Sequence, residues 1–268
     1  MYKIKCEVVD VKVFENNLIG IVTYDTDNGD CNPRDNDNCA VIAVTRNRYF
    51  SGDMEIKDEV AHLRTMALEA LPTKSSRRFD GYINECENRD SDEWENHARK
   101  IVDKHYVVAD VHAYVHSGIV LSTVPFGCRW DSGQAGVAYI SIEAATYAQG
   151  LPATATWDTV LPAHSSVHAT TLRQWANDRI EAEVKEYGAW LNGDVYAYEL
   201  FDASAAIADG SVTLDDFDDA TAASRVDYAD LELLDSCCGF IGDVAYALEE
   251  CEDAAQWWIK HKQAEVLA

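Results

Sequence analysis

Near the middle of the 268-residue chain, several residues with reactive side chains fall close together. The segment Asp110-Val111-His112-Ala113-Tyr114-Val115-His116 sets two imidazoles four residues apart. On a helix that spacing brings both onto one face and suits zinc. Here apolar and polar residues alternate, the period of a strand. Asp110, His112, Tyr114 and His116 then share one face, while Val111, Ala113 and Val115 point inward. His112 and His116 are weak metal candidates, because a third and a fourth donor, such as Cys128 or His164, must come from elsewhere. The plainer reading is a polar sheet face with two solvated histidines. Further on, Pro125-Phe126-Gly127-Cys128-Arg129-Trp130-Asp131-Ser132-Gly133-Gln134 carries two nucleophile types. Cys128 with His116 would make a nucleophile and base. Ser132 lacks the Gly-x-Ser-x-Gly setting, and Asp131-Ser132-Gly133 is also ordinary turn chemistry. The catalytic candidates are therefore His116, Cys128, Asp131 and Ser132.

Other chemistries find less support. No Walker A or G-x-G-x-x-G pattern occurs, so a nucleotide-binding fold is not indicated. Asp27, Asp30, Asp35 and Asp37 superficially suggest calcium, but their spacing and the lack of a terminal Glu do not fit an EF-hand. His164 and His168 open a helical pattern one turn apart, a common arrangement near a helix start. Of the eight cysteines, Cys31 and Cys39 are too far apart for a zinc knuckle, and adjacent Cys237 and Cys238 are strained as a disulfide. Most of the eight are expected to be reduced, buried, small hydrophobes. No cofactor is predicted.

The elements that would position these residues follow from periodicity. Residues 2–9, 19–25, 40–45, 106–116, 118–124, 136–142 and 194–201 read as strands, with turns at Asn16-Asn17 and Ser117-Gly118. Residues 26–39 are a loop dense in Asn, Asp, Gly and Pro. Helices are expected at 55–71, with Ile56, Val60, Leu63, Ala67 and Leu71 inward and Pro72 as the stop. Others are expected at 92–104 behind a Ser91 cap, at 165–190, and at about 243–266. Residues 73–90 read as a polar connector. Strands and helices mix without a βαβ rhythm, so the fold class is α+β, a mostly antiparallel sheet with packed helices and a long C-terminal helix. One domain over 1–268 is expected, with a subdivision near 105 as the alternative.

Charge is the strongest compositional signal. There are 47 acidic against 22 basic residues, net -25, while 47% of residues are hydrophobic. Such a chain is a poor binder of phosphate backbones, so no direct nucleic-acid contact is expected. No apolar run is long enough to span a membrane, and the first residues do not resemble a signal peptide. A cytoplasmic location follows as the expectation. Residues 106–268 carry net -19, and Asp215, Asp216, Asp218 and Asp219 flank a single Phe217. Such a run is usually a solvated loop. Trp257 and Trp258 are adjacent on the last helix and cannot both face one core. One of them suits an interface, which leaves a homodimer open.

Several segments together resemble an uncharacterised family of bacteriophage-encoded proteins with a Trp-Asp-Ser-Gly-Gln central motif. They are Asn32-Pro33-Arg34-Asp35-Asn36, Arg48-Tyr49, Gly52-Asp53, His116-Ser117-Gly118 and Ser122-Thr123-Val124-Pro125-Phe126. Trp130 to Gly136, Gly193-Asp194-Val195-Tyr196 and Asp235 to Gly242 complete the set. The family has an aromatic after its Pro-Arg pair where this chain has Asp35-Asn36, so that loop departs from the pattern. The resemblance implies a protein made in the host cytoplasm during infection, with a host-directed role. It transfers no catalytic residue.

Three functions are then in play. The first is binding and inhibition of a host nucleic-acid-handling or defence protein through a basic surface, by DNA mimicry. The candidate contacts are Asp215, Asp216, Asp218, Asp219, Trp130 and Trp257. Duplex DNA carries about one charge per 1.7 Å, so a surplus of 19 corresponds to roughly 32 Å of duplex. The second is a metal- or Cys/His-dependent hydrolase with its site in 110–134. The third is acidity that serves only solubility or salt adaptation.

Overall fold

The computed structural model describes residues 7–26, 31–36, 38–162 and 170–266, with side chains as far as residue 261. The strands are β1 (Val8–Val13), β2 (Leu18–Tyr24), β3 (Val41–Thr45), β4 (Met54–Ile56), β5 (Tyr106–Val115), β6 (Ile119–Ser122), β7 (Ser132–Ser141), β8 (Val195–Asp202) and β9 (Glu232–Ile241). The helices are α1 (Glu59–Glu69), α2 (Thr73–Glu87), α3 (Glu93–His105), α4 (Ile142–Ala148), α5 (Leu172–Asn192), α6 (Ser204–Asp209), α7 (Ala220–Ala223) and α8 (Val244–Val266). The fold is α+β, with one antiparallel sheet and one mixed sheet, and the long C-terminal helix is present. The chain forms two compact units, residues 1–32 with 192–268, and residues 33–191.

In the first unit the strand order is β1-β2-β8-β9, all antiparallel. The β1–β2 turn runs through Asn16 and Asn17, both at positive φ, a conformation Asn tolerates better than most residues. Apolar residues of β2 face both ways. Ile19 and Ile21 pack with Phe201, Phe217 and Tyr228, while Leu18 and Val22 pack with Ala247, Cys251, Ala255 and Ile259 of α8. The sheet is therefore covered on both faces, which is why β2 reads as a nearly continuous apolar run. Gly20 is required by that packing, since a Cβ there would lie 2.6 Å from Cys251 Sγ. β9 was not marked by any alternation. It is an edge strand with half of its residues exposed, half part-buried and none buried, so there is little burial for a pattern to record.

In the second unit the order is β4-β3-β7-β5-β6, antiparallel except for the β3–β4 pair. One face packs on α5 through Ile42, Val107, Val111, Ala113, Ile140, Ile180 and Val184. The other carries α1 to α3, with Met66, Ala67, Ile83, Trp94, Ala98 and Val102 in its core. Residues 73–90 are thus no connector: most of them form α2. Phe79, Tyr82, Ile83 and Cys86 make its inward stripe, and the abundance of charge around them hides that period. α1 is also shorter and rotated relative to expectation. Ile56 belongs to β4, Leu71 lies beyond the helix, Val60 is exposed, and His62 and Met66 take the inward positions. α3 starts after Asp92, with Glu93 and Glu95 in its first turn and Lys104 and His105 in its last, complementing the helix dipole. Ser91 Oγ accepts only a long contact from the Glu93 N–H, at 3.4 Å.

Candidate functional site

β5 presents its residues much as strand alternation requires. Val111 and Ala113 are buried against α5, and Val115 packs at the edge of that core. A bulge between Val111 and His112 interrupts the pairing with β7. His116 is exposed, and its ring lies nearly parallel to Tyr114, with centroids 6.3 Å apart. His112 and His116 gain no third donor: among the described residues no group of three or more His, Cys, Asp or Glu converges as a metal site would need. His164 and His168 lie outside the described residues.

The structure does not assemble the nucleophile–base pair. The Cys128 thiol donates to Asp131 Oδ2 at 3.8 Å, and no hydrogen bond joins it to His116. The Ser132 hydroxyl donates to the Cys128 carbonyl oxygen, which cannot act as a base. Cys128, Asp131 and Ser132 do come together, as a self-satisfied turn leading into β7. Trp130, in the same turn, is 94% exposed.

The acidic run is not simply a loop. Leu214–Phe217 forms a 3-10 turn anchored by buried Phe217. Asp216 accepts from the Thr213 N–H and hydroxyl, at 2.7 and 2.9 Å, and these bonds hold its carboxyl below the usual range. Asp219 caps α7 by accepting from the Ala222 N–H at 2.8 Å. Asp215 and Asp218 are exposed and take no part in these caps. On α8, Trp258 packs into the core while Trp257 is 54% exposed and stacks on His261 at 3.9 Å. The expectation that the pair divides between core and surface is met.

The expectation that most cysteines are buried is not. Cys86 and Cys251 are buried, Cys31, Cys39 and Cys128 are half-buried, and Cys237 and Cys238 are exposed on edge strand β9. An edge strand has no second neighbour to cover them.

Two further clusters were not marked by sequence reasoning. The first is a buried ionic network in the unit 33–191. Arg34 forks onto Asp53, with Nε–Oδ1 at 3.0 Å and Nη2–Oδ2 at 2.6 Å, and reaches Glu183 Oε2 through Nη1 at 3.0 Å. Glu183 also accepts the N–H groups of Cys39 and Ala40 and Nε of Arg179. Burial pulls the Arg34 pKa down, but the bonds to Asp53 and Glu183 outweigh it and leave the guanidinium above its ordinary value. The paired geometry is complete, which marks a structural clamp.

The second is a pocket of about 280 Å³ between α1, α3, β5 and β7. The Asp58 side chain caps α1 by accepting from the Ala61 N–H at 2.7 Å, which sets Glu59 in the first turn. One helical turn on, His62 and Leu63 reach the pocket, followed by Met66. α3 contributes Arg99, Val102 and Asp103, three to four residues apart and so on one face. β5 contributes Val108 and Asp110, which share a strand face, and β7 contributes Val137. Burial raises the pKa of Glu59, and the negative charges of Asp110 and Asp58 act in the same direction, while His112 and Arg99 oppose them. His62 is 6% exposed, its Nε2 is buried without a hydrogen-bond partner, and burial lowers its pKa against the pull of Glu69. A histidine among the apolar positions of α1 was the one available sequence signal. Of the charged lining residues, the sequence pattern singles out Asp110, on the shared β5 face.

Comparison of the chain with protein-family models, with curated proteins and with solved structures gave no match.

Proposed function

We propose that the protein binds a basic surface on a host nucleic-acid-handling or defence protein, and competes there with nucleic acid. The observation that carries this reading is the sorting of charge by compact unit. Residues 1–32 with 192–268 hold 24 acidic and 6 basic residues, net -18, whereas residues 33–191 hold 23 and 16, net -7. Acidity serving solubility alone has no reason to concentrate in this way. Among the described residues of the acidic unit, one ion pair is formed, Lys12 with Glu252 at 2.6 Å, and it is half exposed. A surface with such an excess raises the local concentration of a basic partner and speeds its capture. The host-directed element rests on the resemblance to the phage-encoded family.

The contact residues follow from what is exposed and not spent on capping: Asp215 and Asp218, beside Phe217 on one face of the β1-β2-β8-β9 sheet; Trp257, on α8 at the opposite face, belongs to a separate surface. Association of two copies through Trp257 is a separate outcome, read by light scattering. Among the described residues no helix is long and apolar enough to cross a membrane. Hydrolysis in the 110–134 segment has no comparable observation behind it, since the Ser132 proton is engaged by a carbonyl.

The test is displacement of a labelled duplex of about 20 base pairs, a length that covers several phosphate contacts per partner. The duplex is bound to each of a panel of bacterial nucleases, nucleoid proteins and restriction enzymes. Release at low salt from at least one of them, together with direct binding between the two proteins that is lost near 0.5 M salt where screening is strong, supports the proposal. Displacement by none of them overturns it.

A further inference from the structure

We infer that the pocket between α1, α3, β5 and β7 binds a small organic cation, a protonated amine carrying an apolar body. The pocket combines three carboxylate residues, Glu59, Asp103 and Asp110, with one cationic residue, Arg99. Arg99 is largely exposed and already has Glu95 at 3.7 Å, so it adds little for an anion. The remaining lining is apolar: Leu63, Met66, Val102 and Val137 form the interior, and Val60 and Val108 lie exposed at the wall. Exposed valines beside carboxylates fit a ligand with one charged end and one greasy end.

The donor set argues against a metal ion in particular. A bare divalent cation needs three or more donors converging within about 2–2.6 Å of one point. No such convergence exists among the described residues, although three carboxylates and an imidazole line the same space. Negative charge spread over a wall is matched by a polyatomic cation that presents several N–H donors and a volume of its own. A pocket of about 280 Å³ lies near the small end of ligand sites, room for roughly ten non-hydrogen atoms.

His62 is the second, independent observation. It is more than nine-tenths buried, it lines the pocket, and its Nε2 has no partner. A buried nitrogen left unpaired is costly, and native proteins rarely retain one without a use. The raised pKa of Glu59 fits the same picture: burial and the charge of Asp110 outweigh the opposing pull of His112 and Arg99, and a bound ammonium supplies further counter-charge.

The site is distinct from the acidic surface proposed above, so either reading can fail without the other. The experiment is calorimetric titration of the full-length protein at pH 7.5 with phenethylammonium, 2-phenylethanol and 3-phenylpropionate. These three probes share a ring and differ in the charge of the end group. The expected result is saturable one-to-one binding of the amine, at least tenfold weaker binding of the alcohol, and none of the acid. Glu59→Gln and Asp110→Asn each weaken the amine about tenfold, equivalent to about 1.4 kcal/mol, with an unchanged circular dichroism spectrum. His62→Phe keeps a ring beside Tyr139, whose centroid lies 5.4 Å away, and weakens the amine without lowering the thermal midpoint. Equal binding of amine and alcohol overturns the inference, as does no saturable binding of the amine. If Glu59→Gln does not fold, Asp110→Asn, which is exposed at the pocket, decides alone. Wild-type affinity in that variant overturns the inference.

Discussion

Arg34 and Glu183, 149 residues apart, meet in a buried ion pair at 3.0 Å, with side chains 8% and 1% exposed. The pair ties the segment before β3 to the middle of α5. Asp53 completes it, because its Oδ2 receives both Arg34 Nη2 and the N–H of Ile42 in β3. Gly52 permits that approach: a Cβ there would lie 2.4 Å from the Ile42 carbonyl oxygen.

The first prediction concerns this clamp. Glu183→Ala leaves Arg34 buried with one partner fewer and strands the Cys39 and Ala40 N–H groups. Removing one member of a buried pair typically costs about 3–5 kcal/mol. Urea unfolding should show a loss of that size. Arg34→Lys should also destabilise, because an ammonium cannot fork onto Asp53 while reaching Glu183 and the Ala40 carbonyl. A Glu183→Ala protein with wild-type stability would make the clamp dispensable.

A second prediction follows from His62. Its folded pKa lies below the ordinary 6.5 because burial disfavours the imidazolium. The unfolded state therefore binds the proton more readily. The contribution of His62 to stability is intact above about pH 6.5 and declines as pH falls from there toward the folded pKa. His62→Phe removes that dependence. Urea midpoints at pH 7.5, 6.5 and 5.5 should shift progressively in favour of the variant as pH falls, because only the wild type loses stability through His62. Parallel curves for the two proteins would contradict the shift.

Thiol reactivity gives a third. Cys251 is buried against β2 and β8, and burial, with Asp235 adding to it, pushes its thiol up to about 12. Only the thiolate is nucleophilic, so Cys251 should resist maleimide in the folded protein. Cys237 and Cys238, exposed on β9, should react first. Mass spectrometry of a short labelling pulse at pH 7.5 checks the order; early modification of Cys251 would mean that α8 opens readily.

The acidic segment supplies a fourth. Asp216→Ala and Asp219→Ala remove capping bonds and should lower the thermal midpoint. Asp215→Asn with Asp218→Asn should leave the midpoint unchanged and weaken salt-dependent duplex displacement. If the capping pair affects displacement and the exposed pair does not, the contact lies elsewhere on the acidic unit.

How far the sequence alone reaches depends on what its periodicity records. It located β2, β3, β5, β7, β8, α3, α5 and α8 and the α+β class, because each of these buries one face or both and leaves a regular trace. It placed Val111 and Ala113 inward, and it required Trp257 and Trp258 to separate. α2 escaped because four inward residues sit among many charges, and β9 because an edge strand buries too little to leave a trace. The Arg34–Asp53–Glu183 clamp and the pocket around Glu59, His62, Arg99 and Asp110 belong to the tertiary structure alone. Their members come from separate elements, and each looks like an ordinary surface charge, or a single polar intrusion, in its own segment. Hydrophobic period reports which face of an element is buried, but not what that face meets. That depends on how α1, α3 and α5 dock on the β3–β7–β5 sheet, where desolvation changes what a carboxylate or an imidazole can do.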